Sequence, residues 1–268
     1  MSTGKKMELD IDGTLISCLF HKGGENAIVF IHGFGSSKEV FGEAFENEKL
    51  HFTMLSTDLI GFGESDKPPG FSYRMREQAT VLKKVIECLG VKRFHIVAHS
   101  MGGIVGIELA EMMPNQISSL IDLDGNLTIE DCTMSKQVAE MSETYFAQKG
   151  FENLRNSIAE ESRKAGNESL KDYLKSLVKA TPKSLHKSAI STLHDSGHGD
   201  LLTRFEKLPF YKCYIYGEKN KGVFPAEKML KQRGIPVFYV SNSGHSMMQD
   251  NPIEFYELIL RIITSLEA

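Results

Sequence analysis

The segment IVAHSMGGIV, Ile96 to Val105, sets a serine between a β-branched run and a run of small residues. A serine hydroxyl is a weak nucleophile. It becomes reactive when a base lies within hydrogen-bond reach, a third group orients that base, and N–H donors await the oxyanion that forms. The strand-to-helix turn that this pattern predicts at Ser100 supplies part of that set. The turn lifts the hydroxyl above a sheet, and the helix N-terminus aims backbone N–H groups at developing negative charge. Ala98, Gly102 and Gly103 are the small neighbours that permit so tight a turn. A lone small-x-Ser-x-Gly also suits a helix cap, so the weight falls on the elements around it.

Those elements alternate. TLISCLF (14–20), NAIVFIH (26–32), FTMLSTD (52–58), RFHIVAH (93–99) and ISSLIDLD (117–124) predict strands, several apolar on both faces, as in the middle of a mostly parallel sheet. Residues 71–90, ending on a glycine, and 101–114, stopped by a proline, predict crossover helices. Strands at 211–217 and 235–241 flank a helix at 225–234, and a proline-initiated amphipathic helix at 252–267 closes the chain. The fold class expected is therefore α/β, a doubly wound, mostly parallel sheet. Residues 125–208 break the alternation with charged, helix-prone sequence. They read as a helical cap inserted into a core domain made of residues 1–124 and 209–268.

Composition narrows the function classes. The 268 residues are 41% hydrophobic and 25% charged, and 31 basic against 35 acidic residues leave a net charge of −4 without a basic stripe, which disfavours nucleic acid as a partner. Cys18, Cys88, Cys132 and Cys213 are scattered without ligand spacing and read as reduced thiols. The N-terminus has no apolar leader and no run approaches a membrane span, so the expected location is cytoplasmic. HDSGHGD (194–200) holds two histidines and two aspartates but reads as a loop without a frame for ligands, and no metal is expected. No Rossmann-type glycine motif follows the first strand, and no cofactor is expected.

AHSMGG resembles the nucleophile elbow of the α/β-hydrolase fold, with Ala98 at the first glycine of G-x-S-x-G. FIHGFGSS (30–37) looks like the family's oxyanion-hole segment, which implies that the backbone N–H groups of Phe34 and Met101 hold the oxyanion. DLIGFGESDKP (58–68) resembles its structural G-x-G-x-S turn. SGHSMMQDNP (243–252) places His245 where the family carries its general base. In many members the orienting acid follows the strand ending in YIYG, but Asn220 stands at that place here. Other branches put the acid one strand earlier, where this chain has Asp124, with Asp122 two residues back; Glu218 is a further candidate.

The resemblance implies a serine hydrolase of the esterase/lipase-like branch, with Ser100, His245 and Asp124 as its triad and a small or medium acyl compound as substrate. The same triad also serves C–C bond cleavage and acyl transfer. A ligand receptor built on the scaffold is the non-enzymatic alternative.

Overall fold

The computed structural model describes residues 4–267; the expected core segments begin at residue 1 and end at 268, and residues 1–3 and 268 lie outside it. Eight strands form one sheet in the order β1-β2-β4-β3-β5-β6-β7-β8. They are β1 (Lys5–Ile11), β2 (Thr14–His21), β3 (Ala27–Ile31), β4 (Thr53–Thr57), β5 (Phe94–His99), β6 (Ile117–Leu123), β7 (Tyr211–Gly217) and β8 (Val237–Val240). From β4 to β8 every pairing is parallel. The first two strands form an antiparallel hairpin joined antiparallel to β4. That places the strand expected at 14–20 in an antiparallel hairpin beside the parallel block. The hairpin also adds β1, whose mostly exposed, charge-rich residues hid it from a search for apolar runs.

Helices cover both faces. Helices α1 (Met75–Cys88) and α2 (Met101–Met112) pack on one face. The 3₁₀ segment Lys38–Phe45 and the C-terminal helix pack on the other, against Phe30, Met54, Ile121 and Ile215. Between β6 and β7 the chain is helical throughout: α3 (Thr133–Ala139), then α4 (Glu143–Tyr145) leading through a π-turn into α5 (Phe151–Ala165), then α6 (Glu168–Leu177), α7 (Pro182–His198) and α8 (Leu201–Lys207). Helix α9 (Pro225–Gln232) joins β7 to β8, and α10 (Met247–Asp250) and α11 (Pro252–Glu267) end the chain. His194 and His198, read above as loop residues, lie on α7, one turn apart with ring centroids 5.5 Å from each other. Among the described residues no helix is long and apolar enough to cross a membrane.

Two polar devices fix the loops at the sheet's carboxyl edge. Buried His32 at the end of β3 bonds Gly33 O through Nδ1 at 2.8 Å and accepts the Leu59 N–H at Nε2 at 3.0 Å, locking the β3 and β4 exits together. Burial pushes its pKa down, which suits this neutral ring. Lys38, fully buried, lies 2.7 Å from Asp58, 2.8 Å from Glu39 and 3.3 Å from Glu64. Burial is the strongest influence and opposes its charge, but Asp58 and Glu39 together outweigh it and hold the ammonium above the ordinary lysine range.

The third constraint lies under α2. Ser100 joins β5 to α2 with φ 54° and ψ −125°, a left-handed backbone that costs a non-glycine residue about 1–3 kcal/mol. The first turn of α2 then passes so close to β3 that a Cβ on Gly102 would stand 2.6 Å from the carbonyl oxygens of both Ile31 and His32. A Cβ on Gly103 would overlap the carboxyl of Asp122. We expect Gly103→Ala to destabilise the fold by about 1–3 kcal/mol in chemical denaturation. In an Asp122→Ala background the cost should vanish and the helix preference for alanine emerge; equal costs in both backgrounds would show that the carboxyl is not the obstacle.

Candidate active site

Ser100, Asp124 and His245 lie together at the carboxyl edge of the sheet. The Ser100 N–H donates to Leu123 O at 2.9 Å, so the elbow is tied to the residue before Asp124. Asp124 continues past β6 and donates its own N–H to Ile215 O on β7 at 2.9 Å. His245 lies in the loop between β8 and α10. Its carbonyl accepts from Nε2 of His99 at 2.9 Å, and the two rings approach to 4.6 Å. A carbonyl oxygen only accepts, so His99 Nε2 carries a proton, while its buried Nδ1 has no protein partner. Burial, reinforced by His245, pushes its pKa well down, so the ring is neutral.

Side chains from these three points meet in one cavity of about 330 Å³, within the range of small-molecule sites. Ser100, Asp124, His245 and the side chain of Phe34 line it, joined by Asn126, Asp131, Met134, Tyr173 and Phe224. His245 Nδ1 lies 3.3 Å from Asp124 Oδ2; the imidazole is about half exposed and the carboxylate buried. The hydrogen bond made by Ser100 Oγ goes to Asn126 Oδ1, at 3.4 Å, rather than to the imidazole. Asn126 is oriented by its Nδ2, which donates to Asp131 O at 2.9 Å.

The other acids lie elsewhere. Glu218 accepts the Asn242 N–H at 3.0 Å and so braces the loop that carries His245. Asp122 is buried beneath the elbow with no protein partner on either oxygen, and burial, then Asp131 and Asp124, raise its pKa well above the carboxylate range. A neutral carboxylic acid is the form that such a position favours.

Asn220 and His99 are the residues whose parts the sequence reading missed. Asn220, noted only as a departure from the usual acid, donates Nδ2 to Asp124 Oδ2 at 2.5 Å, the same oxygen that faces His245. The two strand ends thus bring an amide and a carboxylate to one spot. For His99 the available signal was its place next to Ser100, since a residue at that point of a buried strand faces the loops around the elbow.

Among the described residues one carboxylate group is tight enough to hold a metal ion: Glu39, Asp58 and Glu64. The Lys38 ammonium already stands within 3.3 Å of all three.

A family model for the alpha/beta hydrolase fold matches residues 26–257. The chain belongs to the α/β-hydrolase fold family. Among relatives, this α/β-hydrolase is 38% identical over 106 residues to probable lysophospholipase BODYGUARD 2 of Arabidopsis thaliana, a match covering 37% of the chain but only 22% of that protein. It is 29% identical over 119 residues to an uncharacterized protein of Mycobacterium tuberculosis, covering 44% of the chain and 35% of that protein. The chain thus spans well under half the length of these relatives. A thermophilic esterase from Thermogutta terrifontis superposes with a TM-score of 0.80 at 19% identity, over 98% of this chain and 100% of that one. An N-acyl homoserine lactonase complexed with N-butanoyl homoserine gives 0.76 at 18% identity, over 98% and 97%. At such identities these structures establish the shared fold.

Removing the amide that faces Asp124 should loosen the carboxylate without touching the serine. For the ester hydrolysis proposed below, Asn220→Ala should lower kcat on the order of tenfold with KM little changed, the loss of one charge-assisted hydrogen bond. Unaltered steady-state kinetics would mean that the Asn220–Asp124 bond contributes nothing to the site.

Proposed function

We propose that the chain is a serine hydrolase that cleaves small or medium carboxylic esters through an acyl-enzyme. The observation that carries the reading is the Asp124–His245 contact at 3.3 Å on the cavity into which the strained Ser100 elbow opens. In this reading the Ser100 hydroxyl turns from Asn126 to the imidazole, a rotation about one side-chain bond. Ser100 Oγ then attacks the acyl carbonyl while His245 takes its proton, and the buried Asp124 carboxylate stabilises the imidazolium. His245 returns the proton to the departing alcohol, and water later releases the acid by the reverse sequence.

The developing oxyanion is assigned to the N–H groups of Phe34 and Met101. Met101 is the first residue of α2, where a backbone N–H has no partner within the helix. The Phe34 loop is held from the other side by the helical insertion, since Tyr173 Oη donates to Phe34 O at 3.1 Å. Residues 125–208 act in this reading as the cap over the serine, with Met134, Leu170 and Tyr173 facing the acyl group. The relatives support an oxygen-ester substrate: the names they carry are those of an esterase, a lactonase and a probable lysophospholipase.

Rates on p-nitrophenyl esters test the assignment of the acid. Asp124→Asn should lower kcat by on the order of 10³–10⁴-fold, and Glu218→Gln should lower it by less than about tenfold. The reverse ranking would move the acid to Glu218. Activity should also fall once the acyl chain outgrows a cavity equal to roughly eleven water volumes at about 30 Å³ each. Equal turnover of short and long chains would argue against a confining cap.

A further inference from the structure

The cavity carries a charge pattern that the proposed reaction does not use. Asp124 is engaged with His245 and Asn220, yet two more carboxylates, Asp131 and Glu161, line the same space, and no lysine or arginine does. Asp131 is part of the wall. One of its oxygens accepts from Thr128 N and Oγ1 at 2.7 and 3.1 Å, and the other is buried without a protein partner. Burial pushes its pKa up to about 7 against the pull of the Thr128 hydrogen bonds, with Asp124 and Glu130 adding to the rise.

Lys175 and Lys179 line an adjoining groove that shares Ser36, Val40 and Tyr173 with the cavity. Both are already paired, Lys175 with Asp172 at 2.6 Å and Lys179 with Glu64 at 3.6 Å. An anion entering the cavity would lose water, meet no cation there and face the carboxyl of Asp131 in the wall and that of solvent-exposed Glu161 instead. An uncharged acyl chain has no such cost, and it finds Val40, Met134, Leu170 and Phe224.

We propose that the site selects acyl groups without negative charge, and that Asp131 and Glu161 are the specificity-determining residues that turn away acyl chains ending in a carboxylate or phosphate. This rests on the serine-hydrolase reading above. It goes beyond it by naming the class: esters of simple monocarboxylic acids are admitted and half-esters of dicarboxylic acids are refused, although the two have nearly the same size.

The test compares p-nitrophenyl hexanoate with the mono-p-nitrophenyl ester of adipic acid, which share a leaving group and a six-carbon acyl chain. Above neutral pH we expect kcat/KM for the adipate ester to be lower by roughly 100-fold, mainly through KM, as like-charge juxtaposition demands. In the Asp131→Asn/Glu161→Gln double variant that ratio should shrink by about fivefold or more, with each single variant giving part of the change, so that a folding defect in the double variant leaves the singles to decide. Ratios within about threefold in the wild type, or a gap untouched by every variant, would overturn the proposal while leaving the hydrolase reading intact. Failure to turn over either ester, or p-nitrophenyl acetate, would bring down the hydrolase reading and this inference with it.

Discussion

The carboxyl edge of this molecule is organised by one steric constraint: α2 must start almost in contact with the exits of β3 and β6. Room for that approach exists because Gly102 and Gly103 have no side chains to strike the backbone of Ile31 and His32 or the carboxyl of Asp122. The consequence is the φ of 54° at Ser100, a strain held in place by the Leu123 hydrogen bond and by burial of α2 on the sheet. A looser helix would relax the turn, and the hydroxyl would no longer project at the cavity.

The other groups of the proposed triad are placed by the same parallel pairing. Asp124 is carried by β6 and still bonded to β7, and His245 sits on a short loop pinned by Glu218 from below and by the neutral His99 from the side. Three segments far apart in the chain are thereby brought to one edge with little freedom. The hydroxyl nonetheless rests on Asn126, so in the proposed reaction the nucleophile is armed by a side-chain rotation within a fixed frame. The helical insertion contributes to that frame through Tyr173 on Phe34 and Ser196 on the Asn126 carbonyl, at 2.9 Å.

The parallel core was legible because its strands are apolar on both faces and its helices end on glycine or begin on proline. Those signals follow from burial and from backbone dihedrals, which are local. The antiparallel hairpin was not legible: β1 alternates exposed charge with half-buried side chains, so the apolar-run signal fails for it. The histidine cluster on α7 was misread because Gly197 and Gly199 look like loop residues, whereas the helix of seventeen residues runs through Gly197 and ends on His198. At the site, Ser100, Asp124 and His245 could be singled out because their segments resemble the family's motifs at the ends of strands. The sequence could not show that Asn220 would bond Asp124, because that depends on how far β6 and β7 run before turning. Nor could it show which charged groups the insertion turns into the cavity.

In the proposed reaction the hydroxyl of Ser100 is chemically activated by the groups around it. Reaction with a fluorophosphonate followed by intact-mass spectrometry measures this without knowledge of the natural substrate. One covalent adduct is expected on the wild-type chain, mapped to the peptide containing Ser100, and none on Ser100→Ala. A wild-type chain that stays unmodified at neutral pH, or an equal adduct on both proteins, would mean that Ser100 is not activated.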